Sequence, residues 1–206
     1  MDIISGGSFC ISANILRRYD LRTGAMPFDW LFCSVQNLID ILDDGFDTFL
    51  QRSHYRSIPS STGRGSCLHR VYDGGNLQRP FFRHKDPTGE TDYFYYRKCI
   101  DRFRQAASRG AALLVIEEFG EIEALFPTLV DTVSRRCPKI AVRAVRHRAS
   151  HGVLSLDIAE RAGAHELWQF AGSAVANGLS LTRAEEQALI VGAVVRPGER
   201  AAPVAE

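Results

Sequence analysis

Three apolar runs constrain this chain more than anything else in it. Ala112-Leu-Leu-Val-Ile116 reads as a buried strand, Ile140 to Val145 as a second and Val153 to Ile158 as a third; an amphipathic segment over 120–136 separates the first two. A helix with one apolar stripe must lay that stripe on a sheet, so strands alternating with helices predict an α/β (α+β) layered fold. Pro127 requires a kink or a break inside the 120–136 helix. Upstream, residues 2–5 form a short strand that Gly6-Gly7 interrupts. A helix follows to Arg18 on Ile11, Ile15 and Leu16; Ser8 is its expected N-cap, which puts Cys10 in the first turn. A second helix spans about 34–44, capped by Ser34 and stopped by Gly45. A long one covers 90–109, with Phe94, Ile100, Phe103 and Ala107 as its buried stripe. The Ser/Gly-rich stretch 53–66 reads as a surface loop, 68–72 and 79–84 as strands, and 164–178 as partly helical. Thr182 to Glu185 forms a capping box for a last helix to about Val191. One domain over 1–196 and a frayed tail over 197–206 are expected.

Composition narrows the function classes. The chain has 206 residues, a formal charge of +1 and 45% hydrophobic residues, which excludes disorder as the main state and leaves enough chain for a self-sufficient core. Near-neutral charge makes nucleic acid an unlikely partner, and the basic stretch Arg135 to Arg148 is more simply a solvated strand face. No apolar run approaches ~18 residues, so no membrane partner is expected. Five cysteines without a CxxC pair, and no signal-peptide pattern at the start, point to reduced thiols and a cytoplasmic setting. Cys67-Leu-His69 lacks a second ligand pair, so no metal and no cofactor is implied. Oligomeric state is not legible.

One cysteine stands apart. Cys10 follows Gly6-Gly7-Ser8 at a strand-to-helix junction. A helix N-terminus lowers a thiol pKa, its free N–H groups can hold an oxyanion, and glycines such as Gly7 let a substrate carbonyl approach the backbone. Gly7 and Ser8 are therefore the oxyanion and turn candidates. The bland alternative is a small buried cysteine at a tight turn. A nucleophilic thiol needs a base. Among six histidines, His84 ends the aromatic run Pro80-Phe-Phe-Arg83, a rigid mount; His69, inside Leu68-His-Arg-Val71, is second choice. In Ala25-Met-Pro-Phe-Asp-Trp30 a carboxylate stands among large rings. Asp29 either orients an imidazole or accepts backbone N–H groups in a turn; Asp86 is the alternate orienter.

These residues resemble a known family. Ser5-Gly-Gly-Ser-Phe-Cys10, Ala13, Leu16, Leu21-Arg22, Ala25, Pro27-Phe-Asp-Trp30 and Phe46-Asp-Thr-Phe49 are similar to the opening of a family of unknown function described as papain-like cysteine peptidases (DUF1796). His84 and Arg102-Phe103 match its later histidine and helical Arg-Phe pair; Gly6 stands where leucine is usual, and Lys85-Asp86 departs from the family's residues after the histidine. The resemblance implies a papain-like arrangement: Cys at a helix N-terminus, His on a sheet strand, and an Asp or Asn orienting it. Cys10, His84 and Asp29 are then the expected catalytic residues of a hydrolase acting on a peptide, amide or acyl substrate through an acyl-enzyme thioester. A cysteine-dependent acyltransferase, or a non-catalytic binding module, is the alternative.

Overall fold

The computed structural model describes residues 2–7, 9–59, 65–73, 79–118, 120–150, 152–173, 175–176, 180–181 and 183–195. Its elements run in the order β1 (Asp2–Ser5), α1 (Ile11–Arg18), α2 (Val35–Asp43), a 3-10 turn (Arg52–His54), β2 (Tyr55–Ile58), β3 (Ser66–His69), α3 (Glu90–Arg109) and β4 (Ala111–Glu117). They continue with α4 (Glu121–Arg136), β5 (Ile140–Ala149), β6 (Ser155–Ala162), β7 (His165–Gly172), β8 (Val175–Ala176), β9 (Ser180–Leu181), α5 (Ala184–Ile190) and a π-helical turn (Val191–Val195). The main sheet has the order β1-β4-β5-β7-β6; the first four strands are parallel and β6 runs antiparallel to β7. The expected α/β layering is present.

Alternation along the strands explains the layers. Ile4, Leu113, Val115, Val142 and Ala144 point to one face and meet α2, α3 and α4. Ile3, Ala112, Leu114, Ile116 and Val145 point to the other and meet α1 and α5. Successive strand side chains face opposite sides, so a strand with six successive apolar positions, as β4 has from Ala111 to Ile116, requires helices on both faces. Helix α4 runs through Pro127 without ending. Among the described residues no helix is long and apolar enough to cross a membrane.

Several local expectations are corrected. The 53–66 stretch is no simple loop: the 3-10 turn and β2 occupy residues 52–58, and β2 pairs with β3 in the register Tyr55↔His69 to Ile58↔Ser66. Polar composition hid that strand, which is held by Tyr55 packing on His69 and Phe82. Residues 60–64 lie outside the described part. The 79–84 strand reduces to isolated bridges that Phe82 makes with Leu31 and Cys67. Residues 165–172 are a strand, not a helix, because the tight turn at Gly163 (φ 61°) folds β6 and β7 into a hairpin and β5 pairs with the free side of β7. The buried stripe of α3 is Tyr96, Cys99, Ile100, Phe103 and Ala106, which leaves Phe94 exposed. Arg183, not a capping-box threonine, is the N-cap residue of α5; Thr182 and the 197–206 tail lie outside the described residues.

Every arginine of the 135–148 stretch has an acidic partner. Arg135 and Arg136 meet Asp43, Arg143 meets Glu166, Arg146 meets Glu117 and Glu123, and Arg148 meets Glu123. That face is a charge-balanced lattice rather than a basic surface.

Candidate active site

Strand β1 carries the chain to the end of the parallel sheet. Gly6 extends its pairing by one bond to the Leu114 carbonyl (2.8 Å). A Cβ on Gly6 would stand 2.5 Å from Val115 Cγ2, so glycine where the family has leucine matches the close approach of β4 here. Gly7 then turns with φ 81°, and a Cβ there would press on Cys33 Cβ at 3.0 Å. Phe9 is also left-handed (φ 65°), an uncommon conformation for a bulky residue, held where its ring packs edge-on to Phe32 at 5.2 Å. The result is that Cys10 itself is the N-cap residue of α1, and its carbonyl accepts the first helical bond, from Asn14 (2.9 Å). The expected cap, Ser8, lies outside the described residues.

The thiol sits in the mouth of the turn with 4% exposure. Burial pushes its pKa up to about 11; Arg83 counteracts that push and Asp29 adds to it. A thiol lowered by the helix terminus was the expectation, and desolvation outweighs it. The other four cysteines are also free and are pushed up by burial. Cys10 therefore differs from them by being itself the N-cap residue of a helix, not by its resting ionisation.

The Pro27-Phe28-Asp29-Trp30 loop is fixed from three sides. Phe28 is fully buried against Phe46 and Phe103, at 5.5 and 5.9 Å. Arg102 donates from Nε to the Ala25 carbonyl (2.7 Å). Asp29 Oδ2 accepts from the Met26 N–H (2.8 Å) and from Arg22 Nη2 and Nε (2.5 and 3.1 Å). Burial pushes the Asp29 carboxyl up, while the Met26 N–H and the Arg22 guanidinium hold it back. The residues that carry the family resemblance, Arg22, Asp29, Arg102 and Phe103, are thus the ones that build this loop.

His84 is brought in by pinning on both sides. Before it, Phe81 N–H donates to Asp73 (2.6 Å) and Phe82 bridges Leu31 and Cys67. After it, Lys85 Nζ pairs with Asp92 at 2.7 Å and the Asp86 N–H donates to the same carboxylate at 2.8 Å. His84 therefore stands in a bend just past a sheet bridge rather than inside a regular strand. A cavity of about 590 Å³ opens here, with His84, Lys85 and Tyr95 on one side and Asp29, Trp30 and Arg22 on another. Asn14 and Arg17 line it as well. They follow Cys10 at spacings of four and seven, so the helix face that lines the cavity is the one above Cys10, while Cys10 itself does not line it. Asp29 and His84 share this space, but the hydrogen bonds of Asp29 go to Arg22 and Met26. Asp29 shapes the loop before it orients any imidazole.

The alternates are used otherwise. His69 is fully buried, stacks on Tyr72 at 4.2 Å, places Nε2 3.1 Å from the Thr48 carbonyl, and accepts the Val71 N–H at Nδ1. Both ring nitrogens are engaged, so His69 is a structural histidine. Asp86 accepts from Ser57 Oγ and from Thr88, which ties the β2 hairpin to the segment after His84. Sequence reasoning passed over Arg17, Arg22 and Arg83 as site residues, although Arg22 belonged to the resembling string. Arg17 carried no local signal beyond its helical spacing from Cys10.

Burial lowers the His69 pKa from 6.5 to about 4. The unfolded chain therefore binds a proton first as pH falls, and stability present above 6.5 is lost on the way to 4, by about 3 kcal/mol. Urea midpoints recorded between neutral pH and pH 4 are expected to fall accordingly, and a His69→Phe variant to show a flatter profile. Equal slopes in the two proteins would contradict the assignment.

Residues 1–73 match the family model described as "Putative papain-like cysteine peptidase (DUF1796)", the family that the Cys10 and Pro-Phe-Asp-Trp strings resemble. The match covers the N-terminal third of the chain: β1, the Cys10 turn, α1, the Asp29 loop, α2 and the β2–β3 hairpin. No curated protein and no solved structure matches the chain.

Proposed function

We propose that this chain, whose N-terminal third matches a papain-like peptidase family, is a cysteine-nucleophile hydrolase of the peptidase or amidase type. The observation that carries the reading is the place of Cys10 at the N-cap of α1, whose following turns, through Asn14 and Arg17, line one cavity with His84 and Asp29. His84 accepts the Cys10 proton as sulfur attacks the substrate carbonyl carbon. First-turn N–H groups of α1, which have no intrahelical partner, face the developing oxyanion. The tetrahedral adduct collapses to a thioester, and the leaving amine departs with the proton from His84. Water, deprotonated by His84, then attacks the thioester, the acid is released and the thiol regains its proton. Asp29 acts as a positioning residue through the loop it holds.

A thiol at about 11 is protonated at neutral pH, so proton removal accompanies attack instead of preceding it. Two pH profiles follow. Alkylation of Cys10 by iodoacetamide depends on free thiolate and is expected to rise about tenfold per pH unit toward pH 11. Acylation by a phenyl thioester uses His84 as the base and is expected to rise far less than tenfold per pH unit over the same range. Peptide mapping by mass spectrometry follows both reactions at Cys10. Alkylation already on a plateau at mildly acidic pH would mean a preformed ion pair and overturn this order of events.

A further inference from the structure

The cavity that Asn14 and Arg17 of α1 line together with His84 is cationic in a way the hydrolase reading does not use. Arg17, Arg22 and Lys85 line it, against a single lining carboxylate, Asp29. Arg22 is paired with Asp29, and Lys85 is paired with Asp92 while lying 4.1 Å from the centre of the Tyr95 ring. Arg17 has no carboxylate partner among the described residues. It donates to Asn14 Oδ1 at 3.1 Å, and its guanidinium lies over the Trp30 ring at 5.1 Å. Trp30 is itself a lining residue, held in the left-handed region (φ 62°) by the loop that Asp29 anchors. A guanidinium over an indole face still has N–H groups at its edge that can donate to a carboxylate, beyond the one that Asn14 accepts. Seven residues of helix separate Arg17 from Cys10, about 10 Å along the axis.

Resting on the Cys10 nucleophile reading, we propose that the enzyme takes acyl substrates carrying a carboxylate, with Arg17 on its Trp30 platform as the anion subsite, about two helical turns along α1 from the attacking Cys10. The carboxylate belongs to the acyl half, which stays on the enzyme as the thioester. The aromatic wall of Trp30 and Tyr95 lies beside the intervening chain. Neutral and basic acyl groups lose the Arg17 pair, and basic ones also meet the like charge of Arg17, the lining cation without a carboxylate partner among the described residues.

The test uses phenyl monothioesters of the α,ω-dicarboxylic acids from succinic to sebacic, each beside its methyl-capped counterpart. Thiophenol release and the mass added to Cys10 are the readouts. The free acids are expected to acylate Cys10 at least about tenfold faster than their capped forms, a common size for one charge-assisted pair. The longer acids should show the larger preference, and Arg17→Met should reduce the preference to near unity. Equal acylation by free and capped esters would overturn the subsite and leave the nucleophile reading intact. If neither series acylates Cys10, the nucleophile reading fails, and the subsite is judged by binding alone. In that case suberic acid monoamide is titrated into the Cys10→Ala protein with calorimetry. Saturable binding that Arg17→Met weakens about tenfold or more supports the subsite, and no binding overturns it.

Discussion

Replacing Cys10 with alanine is expected to abolish formation of the thioester and to lower turnover by about 10⁴-fold or more, because the covalent route has no second nucleophile. The fold should survive. Cys10 is nearly buried, but its removal deletes one sulfur at a turn whose geometry is set by Gly7, Phe9 and the β1–β4 pairing. The expected loss of stability is about 1 kcal/mol. Mass spectrometry after incubation with a phenyl thioester should show an adduct on the parent protein and none at this position in the variant. Turnover by Cys10→Ala at the parental rate would remove Cys10 from the reaction, since among the five cysteines Cys10 alone is the N-cap residue of a helix. The same comparison separates hydrolysis from transfer: a thioester that persists until an amine is added marks a transferase, and one that decays in water alone marks a hydrolase.

Asp29→Ala is expected to be the most damaging single change to stability. The carboxylate is 3% exposed and answers both the Arg22 guanidinium at 2.5 Å and the Met26 N–H at 2.8 Å. Removing it leaves a partly buried cation and a buried N–H without an acceptor. Breaking one side of a buried pair costs about 3–5 kcal/mol; the 21% exposure of the Arg22 side chain places the effect near the lower end. For a chain of this size that corresponds to roughly 6–12 °C in Tm. The double variant Arg22→Met/Asp29→Leu should recover much of the loss, because it removes both charges instead of stranding one. A Tm shift of only a degree or two in Asp29→Ala would show that the pair does not hold the loop. Activity should fall in both variants, since Trp30 and the cavity wall depend on the same loop.

The elements legible in the sequence were those whose apolar spacing is local. Helix α3 was read at its observed ends because Gly110 stops it, and α2 because Ser34 accepts the Asn37 N–H. Strand β4, apolar from Ala111 to Ile116, could only be a central strand. Elements defined by distant partners were not legible. Strand β2 exists because Tyr55 finds His69 and Phe82, and β7 because β5 and β6 pair with its two sides. The site divides in the same manner. Cys10 and the Pro-Phe-Asp-Trp loop announce themselves through a glycine turn and an unusual string. The partner of Asp29, the engaged state of His69 and the placing of Arg17 against Trp30 depend on residues that meet only in space.

By itself, the amino-acid sequence determined the layered α/β class, the glycine turn ahead of Cys10 and the cysteine that follows it, because these rest on periodicity and on φ angles that few residues adopt. Tertiary structure alone decided the ionisation of that cysteine and the charge of the cavity that the helix after it lines. Desolvation and Coulomb energies depend on which groups are packed within a few ångströms, and the chain order does not state those distances. A helix terminus by itself would lower the thiol pKa; burial in the packed protein raises it to about 11.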